Sequence, residues 1–235
     1  MKKKNYDRHK FIYDFLLKSN IPLVSRYMQR KLYDSDFFKD ANERKILSAS
    51  KVARIINENY SFVSLFDIGC GMGLYIRELN KLGKEVLGCD ASAEGIRLAD
   101  PQITVFYADV TKPIILNRKF DIVLCFEVAE HIEKKYSRQL VDNCTAYSDR
   151  VLFTAAPKGQ GGVGHINEQP YEFWIDLFAA RGFVFEEDLS QKIRQQMKKE
   201  DVVEWIANNF MSLSKESASS GNASGGKKPF RERVS

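Results

Sequence analysis

No CxxC pair occurs among the four cysteines, Cys70, Cys89, Cys125 and Cys144, so their spacing offers no zinc site and free thiols in a reducing compartment are expected. Histidine is scarcer, with three in 235 residues, which leaves few side chains able to take a proton near neutral pH. Long apolar runs are missing too. Phe62 to Ile68 and Phe120 to Phe126 are far too short to cross a bilayer as helices, and no charged-then-apolar leader opens the chain. These absences point to a cytoplasmic protein without membrane insertion. No internal repeat suggests a solenoid.

The apolar content of 44% allows a substantial core and fits one α/β domain with appendages. Charge is uneven: residues 1–54 hold 14 Lys/Arg against 6 Asp/Glu, and the remainder 22 against 25. A basic segment can meet phosphates, so nucleic acid stays open as a partner. Here, however, the basic residues alternate with apolar ones in helical fashion, which favours a solvated helix face. Helices are expected at Tyr6 to Lys18, Val24 to Tyr33 and Asn42 to Glu58, making residues 1–59 a basic extension over the active site.

From Phe62 the pattern changes to short apolar runs between amphipathic segments, as in a parallel sheet. Strands are expected at 62–67, 85–89, 103–107, 120–125, 150–155 and 183–187, with helices at 73–82, 92–99, 134–146 and 170–181. A charged amphipathic stretch from Leu189 to Asn208 precedes a last short strand, Phe210 to Leu213. The expected fold is therefore a Rossmann-like, doubly wound, mostly parallel seven-stranded α/β sheet over residues 60–213. The tail 214–235, rich in Ser, Gly, Lys and Arg, is expected to be disordered.

The run Leu65-Phe-Asp67-Ile-Gly69-Cys70-Gly71-Met-Gly73 carries an apolar strand into a turn with glycine at alternate positions. Gly69 and Gly71 let the backbone bend sharply and approach a ligand. A dinucleotide turn has the spacing GxGxxG; this one is GxGxG with Asp67 ahead of it, a carboxylate that repels a pyrophosphate and attracts an α-amino group. Asp90, 21 residues beyond Gly69, ends the next apolar run, where a carboxylate can accept ribose hydroxyls. Asp109 ends the third, within reach of an adenine amine.

These residues resemble the class I S-adenosylmethionine (SAM)-dependent methyltransferases: DIGCGMG at 67–73, GCD at 88–90, ADV at 108–110 and FDIVLCFEVAEHI at 120–132 are similar to four successive motifs of that family. The resemblance, which spans about residues 60–188, implies SAM as cofactor and S-adenosylhomocysteine (SAH) as product. It implies that Asp67 and the turn Gly69, Cys70, Gly71 and Gly73 hold the methionine part. Asp90 and Ala91 would hold the ribose, Asp109 and Val110 the adenine, and Glu127 would line the donor pocket.

A hydroxyl acceptor needs a base. His9 lies in the basic segment, leaving two candidates. His131 follows the fourth strand and is read as a base or substrate contact, or as a structural hydrogen bond. His165 stands in the glycine-rich stretch from Pro157 to Pro170, read as a mobile loop over the pocket or as a plain connection whose His165 and Asn167 cap the next helix. Glu127, Glu130, His131 and His165 also resemble the metal ligands of small-RNA ribose methyltransferases, but the set Glu127, Glu130 and His131 also occurs in metal-free relatives and no metal is assigned. The reading favours methyl transfer to a hydroxyl or amine of a small polar acceptor, such as a sugar or glycan. The alternatives are a metal-dependent RNA ribose methyltransferase and a non-catalytic SAM-binding protein.

Overall fold

The computed structural model describes residues 35–216, with side chains from residue 46 onward. Helices expected before residue 35, His9 and the tail from residue 217 lie outside the described residues. The chain runs α1 (Ser35–Asn59), β1 (Ser64–Ile68), α2 (Leu74–Lys81), β2 (Glu85–Asp90), α3 (Ala93–Arg97), β3 (Thr104–Tyr107), β4 (Ile122–Phe126), α4 (Ser137–Tyr147), β5 (Arg150–Thr154), α5 (Tyr171–Ala179), β6 (Phe183–Phe185), α6 (Glu187–Lys199), α7 (Glu204–Asn209) and β7 (Met211–Lys215).

The seven strands form one sheet in the order β3-β2-β1-β4-β5-β7-β6. All pairings are parallel except those of β7, which runs antiparallel between β5 and β6. Strands β1 and β4 sit side by side although the chain travels out to β3 between them, so their C-terminal ends frame the crevice where the connections part to opposite sides. Both are buried along their whole length, which is why they read as continuous apolar runs. Along β4 the faces alternate. Ile122, Leu124 and Phe126 join α1, α2, α6 and α7, through residues such as Ile56, Leu79, Met197 and Ile206. Val123 and Cys125 face α4 and α5, through Leu140, Cys144, Trp174 and Phe178.

Two boundaries differ from the sequence reading. Ala49, Val52, Ala53, Ile55 and Ile56 of α1 are fully buried, the last four in one core cluster with residues of β1, β4, α2 and α6, so the division at 59/60 runs through a packed unit; the same helical alternation that put charges on one face put these on the other. The last strand extends to Lys215, because Ser214 pairs with both Arg150 and Val184 and Lys215 with Phe183. A strand between two others gains ladder bonds on both sides, which outweigh its polar composition. The helix expected at 134–146 begins at Ser137, after two 3-10 turns, Ala129–His131 and Lys134–Tyr136. The stretch from Leu189 resolves into α6 and α7, and α6 starting at Glu187 cuts β6 to three residues.

The connection after Asp109 is tied to α4 by two side chains, Tyr147, which bonds the backbone of Ile114 and Leu116, and Asn143. Asn143, 2% exposed on α4, accepts from the Ile114 N–H at 3.0 Å and donates to the Val110 and Lys112 carbonyls at 2.9 Å each. Replacing it by alanine orphans three backbone groups, so N143A should lower unfolding free energy by about 2–4 kcal/mol in urea titration. A loss below about 1 kcal/mol would show that water replaces the amide there.

Among the described residues no helix is long and apolar enough to cross a membrane, and all four cysteines are unpaired.

Candidate functional site

The glycine turn is built as a close-approach bend at the end of β1. Gly69 has φ +78°, and a Cβ on it would lie 2.3 Å from Val128 Cγ2. Gly73, at φ +72°, caps α2 without a side chain, and a Cβ there would meet Ile103 Cδ1 at 2.5 Å. The N–H groups of Gly69 and Cys70 both donate to the Cys89 carbonyl, at 2.8 and 3.0 Å, and the Gly71 N–H donates to Asp90 Oδ2 at 2.7 Å. The turn is thus pinned to the end of β2. Gly88 takes part as well, since a Cβ on it would strike Cys70 Sγ at 2.7 Å. The sequence showed Gly88 only as one letter of GCD; its steric role needs the partner strand.

The acidic residues expected at three strand ends differ in state. Asp67 is 2% exposed and its Oδ2 has no hydrogen-bond partner among the described residues. Burial, and then the charge of Asp90, push its carboxyl up to about 8. Asp90 is held open by backbone: its Oδ1 accepts from Ser92 N–H at 2.7 Å, with Ala91 exposed between them. Asp109 Oδ1 accepts from the Thr111 N–H and hydroxyl at 3.0 and 2.6 Å, and Lys112 lies 3.3 Å from Oδ2. Burial alone raises the Asp109 carboxyl, but these contacts outweigh it and hold it below its usual range. Val110 beside it is buried in the core.

Glu127 follows β4 with φ +57°, a left-handed backbone that costs a side-chain-bearing residue about 1–2 kcal/mol. Its N–H donates to Thr154 Oγ1 at 2.9 Å, which holds the residue there. The buried Glu127 Oε1 and the buried Tyr75 hydroxyl, like Asp67 Oδ2, find no hydrogen-bond partner among the described residues. The three are neighbours: burial, then the charges of Glu127 and Asp67, raise the Tyr75 phenol. Buried polar atoms are nearly always satisfied, so this group fits a ligand with donors of its own, as the ammonium and hydroxyls of SAM are. Tyr75 was not singled out from sequence; it reads there as an ordinary residue in the first turn of a helix.

The glycine-rich stretch is closed by one carboxylate. Glu168 accepts from the N–H groups of Gly159 and Gly161, at 2.8 and 2.7 Å, and its Oε1 lies 2.9 Å from His165 Nδ1. Burial raises the Glu168 carboxyl, but these three partners overcome it and keep it below the usual value. The Nε2–Cε1 edge of His165 packs on Gly162, where a Cβ would come within 2.2 Å of Nε2. His131 Nδ1 is 3.2 Å from the Gly164 carbonyl, which only accepts, so this hydrogen bond puts a proton on Nδ1, and in the neutral ring Nε2 is the acceptor. The two imidazoles meet edge to face at 5.0 Å. Asn167 does not cap α5; its Nδ2 donates to the Ala129 carbonyl and Ser137 Oγ, tying the loop to the turn that bears Glu130 and His131. Glu130, fully buried, His131 and His165 each offer a ligand atom within 4.8 Å of the others, whereas Glu127 is not of this group.

Residues 66–147 match the family model described as a methyltransferase domain. Over 150 residues the chain is 29% identical to a ubiquinone biosynthesis O-methyltransferase of Nitrobacter winogradskyi, a match that takes in 61% of this chain and 52% of that protein. The chain spans about half, or less, of the length of the curated relatives it matches. Among solved structures it is similar to the amino pentose methyltransferase of calicheamicin biosynthesis from Micromonospora echinaspora, with TM-score 0.56, 17% identity and 72% and 90% of the two chains covered. It is also similar to the magnesium protoporphyrin IX methyltransferase of Synechocystis PCC 6803 with bound SAH, with TM-score 0.54, 18% identity and 68% and 90% covered. At these identities the two structures speak for the fold.

Proposed function

We propose, for a chain whose centre is a class I SAM-dependent methyltransferase domain, that it transfers a methyl group from SAM to a hydroxyl of a small polar acceptor, a sugar or glycan being one such class. The observation that carries this is the unsatisfied set Asp67, Tyr75 and Glu127 beside the glycine turn, with an imidazole pair formed by His131 on the turn after β4 and His165 on the glycine-rich loop. The curated relatives named as O-methyltransferases support a hydroxyl acceptor.

When bound, SAM supplies a sulfonium carbon open to in-line attack. Asp67 would hold the α-amino group, Asp90 the ribose and Asp109 with Val110 the adenine. The chain's remaining task is to align the acceptor oxygen at about 3–3.5 Å and to accept its proton. His131 suits that task, because the Gly164 carbonyl leaves its Nε2 as an acceptor. His165 is better placed to position it: its Nδ1 is engaged by Glu168 and its Nε2 edge lies on Gly162.

A second reading, a metal-dependent RNA ribose methyltransferase, is favoured by one observation, the convergence of Glu130, His131 and His165. Histidine with carboxylate suits Mn²⁺ or a related ion better than Mg²⁺.

One assay tests both readings: labelled SAM offered to metabolite, carbohydrate and RNA pools, with and without a chelator. Label is expected in the small-molecule pools regardless of chelation. H131A should lower kcat by about 10²–10⁴-fold with SAH affinity kept, and H165A by less. Chelator-sensitive labelling of RNA would replace the first reading by the second. SAM binding without turnover on any pool would leave a SAM-binding protein, and full turnover in both variants would remove histidine from the mechanism.

A further inference from the structure

We infer that Arg194 anchors the acceptor and that the acceptor carries an oxyanion, a carboxylate or a phosphate, apart from the group that is methylated. The inference deepens the proposed methyl transfer and rests on it.

Arg194, on α6, is half-buried and donates through Nε to the Phe210 carbonyl at 2.7 Å. That bond fixes the guanidinium plane and leaves both terminal nitrogens, a rigid pair of donors matched to a planar oxyanion. Phe210 leads into β7, whose Met211 pairs with Phe153 one residue before the end of β5, and Thr154 beside it receives the Glu127 N–H. Arg194 therefore stands at the edge of the sheet that bears the donor pocket. Its guanidinium lies 5.4 Å from the centre of the Tyr171 ring, and the Tyr171 phenol feels the charges of both Arg194 and Glu127. Tyr171 donates to Asn209 Oδ1 and Asn209 Nδ2 to Gln160 Oε1, each at 2.9 Å, which joins this corner to the glycine-rich loop.

What sets Arg194 apart among the described residues is that it is half-buried without a counterion; Arg138, which forms no ion pair either, is exposed. Arg150 is paired with Glu186 and Arg181 with Asp142, each at 2.6 Å, and Arg77 with Glu78 at 2.9 Å. No carboxylate among the described residues lies within ion-pair distance of Arg194; Glu187, on its own helix, acts on it only from farther away. A partly desolvated cation is costly without an anion, and a fixed guanidinium beside a substrate pocket is where a substrate supplies one.

The test measures binding to the SAH-saturated protein of matched probes: 3,4-dihydroxybenzoate with its neutral amide, glucuronate with glucose, and glycerol 3-phosphate with glycerol. In at least one pair the anion should bind about tenfold or more tightly than its neutral partner, and the carboxylate and phosphate pairs tell the two sources apart. R194Q should erase that preference with the SAH affinity unchanged within about twofold, and R194K should keep part of it. Equal binding in every pair, absence of binding included, overturns the inference, as does a preference that survives in R194Q. Failure to bind SAH at all would instead remove the methyltransferase reading beneath it, a distinguishable result.

Discussion

Calorimetric titration with SAM should give a Kd that tightens by up to about tenfold per pH unit from pH 6 towards 8, because binding expels a proton from Asp67. In the free protein burial, with the charge of Asp90 behind it, pushes this carboxyl up to about 8, so at pH 6 it is mostly protonated. The ligand's ammonium stabilises the ionised form and lowers that value in the complex. Proton release then accompanies binding between the bound and free values. Above about pH 8 the gain ends, and affinity weakens as the ligand's own α-amino group loses its charge. The effect on folding has a definite sign. A carboxyl raised above its unfolded value of about 3.9 contributes stability that is complete below that pH and is lost as the pH rises through about 8. D67N keeps the shape and removes both effects: the free variant should be at least as stable as wild type at pH 8, yet bind SAM on the order of 100-fold more weakly. A Kd independent of pH between 6 and 8, together with wild-type affinity in D67N, would show that Asp67 does not face the ammonium.

Adding one methyl group at Gly69 is expected to cost roughly 2–5 kcal/mol in unfolding free energy and to abolish most cofactor binding. Two physical terms add. The left-handed backbone at φ +78° costs a residue with a Cβ about 1–2 kcal/mol, and the 2.3 Å approach to Val128 Cγ2 forces a shift costing about 1–3 more. Gly83 separates them: it has φ +80° but nothing within 4 Å of the added Cβ, so G83A should show the backbone term alone. In a double-mutant cycle V128A should recover the overlap term of G69A and leave the backbone term behind. Equal losses in G69A and G83A by urea unfolding would mean that Val128 swings aside freely, and the close approach would then have no energetic consequence.

The apolar runs of β1 and β4 and the glycine spacing at 69, 71 and 73 were legible because each is a local statement: a strand buried on both faces must be apolar, and a backbone at positive φ selects glycine. Asp67 and Asp90 were legible for the same reason, since a carboxylate at a parallel strand's end lies over the crevice. Glu127 is expected from sequence near the donor, but not with a left-handed backbone, whose N–H is received by Thr154 of the neighbouring strand. His165 and Glu168 are three residues apart, yet nothing in that spacing says that the carboxylate also gathers two glycine N–H groups. Ser214 and Lys215 read as tail because their composition is polar, and only two flanking strands make them a strand.

By itself, then, the sequence determined the layered α/β architecture, the sharp turn after β1 and the carboxylates around it, all consequences of chain geometry over a few residues. Tertiary structure alone decided which polar atoms are left without partners, which carbonyl His131 Nδ1 faces and which half-buried arginine has no counterion. Those properties depend on what lies across the gap from a side chain, and long-range packing brings together residues such as Tyr171 and Arg194, or Gly69 and Val128, that no local pattern relates.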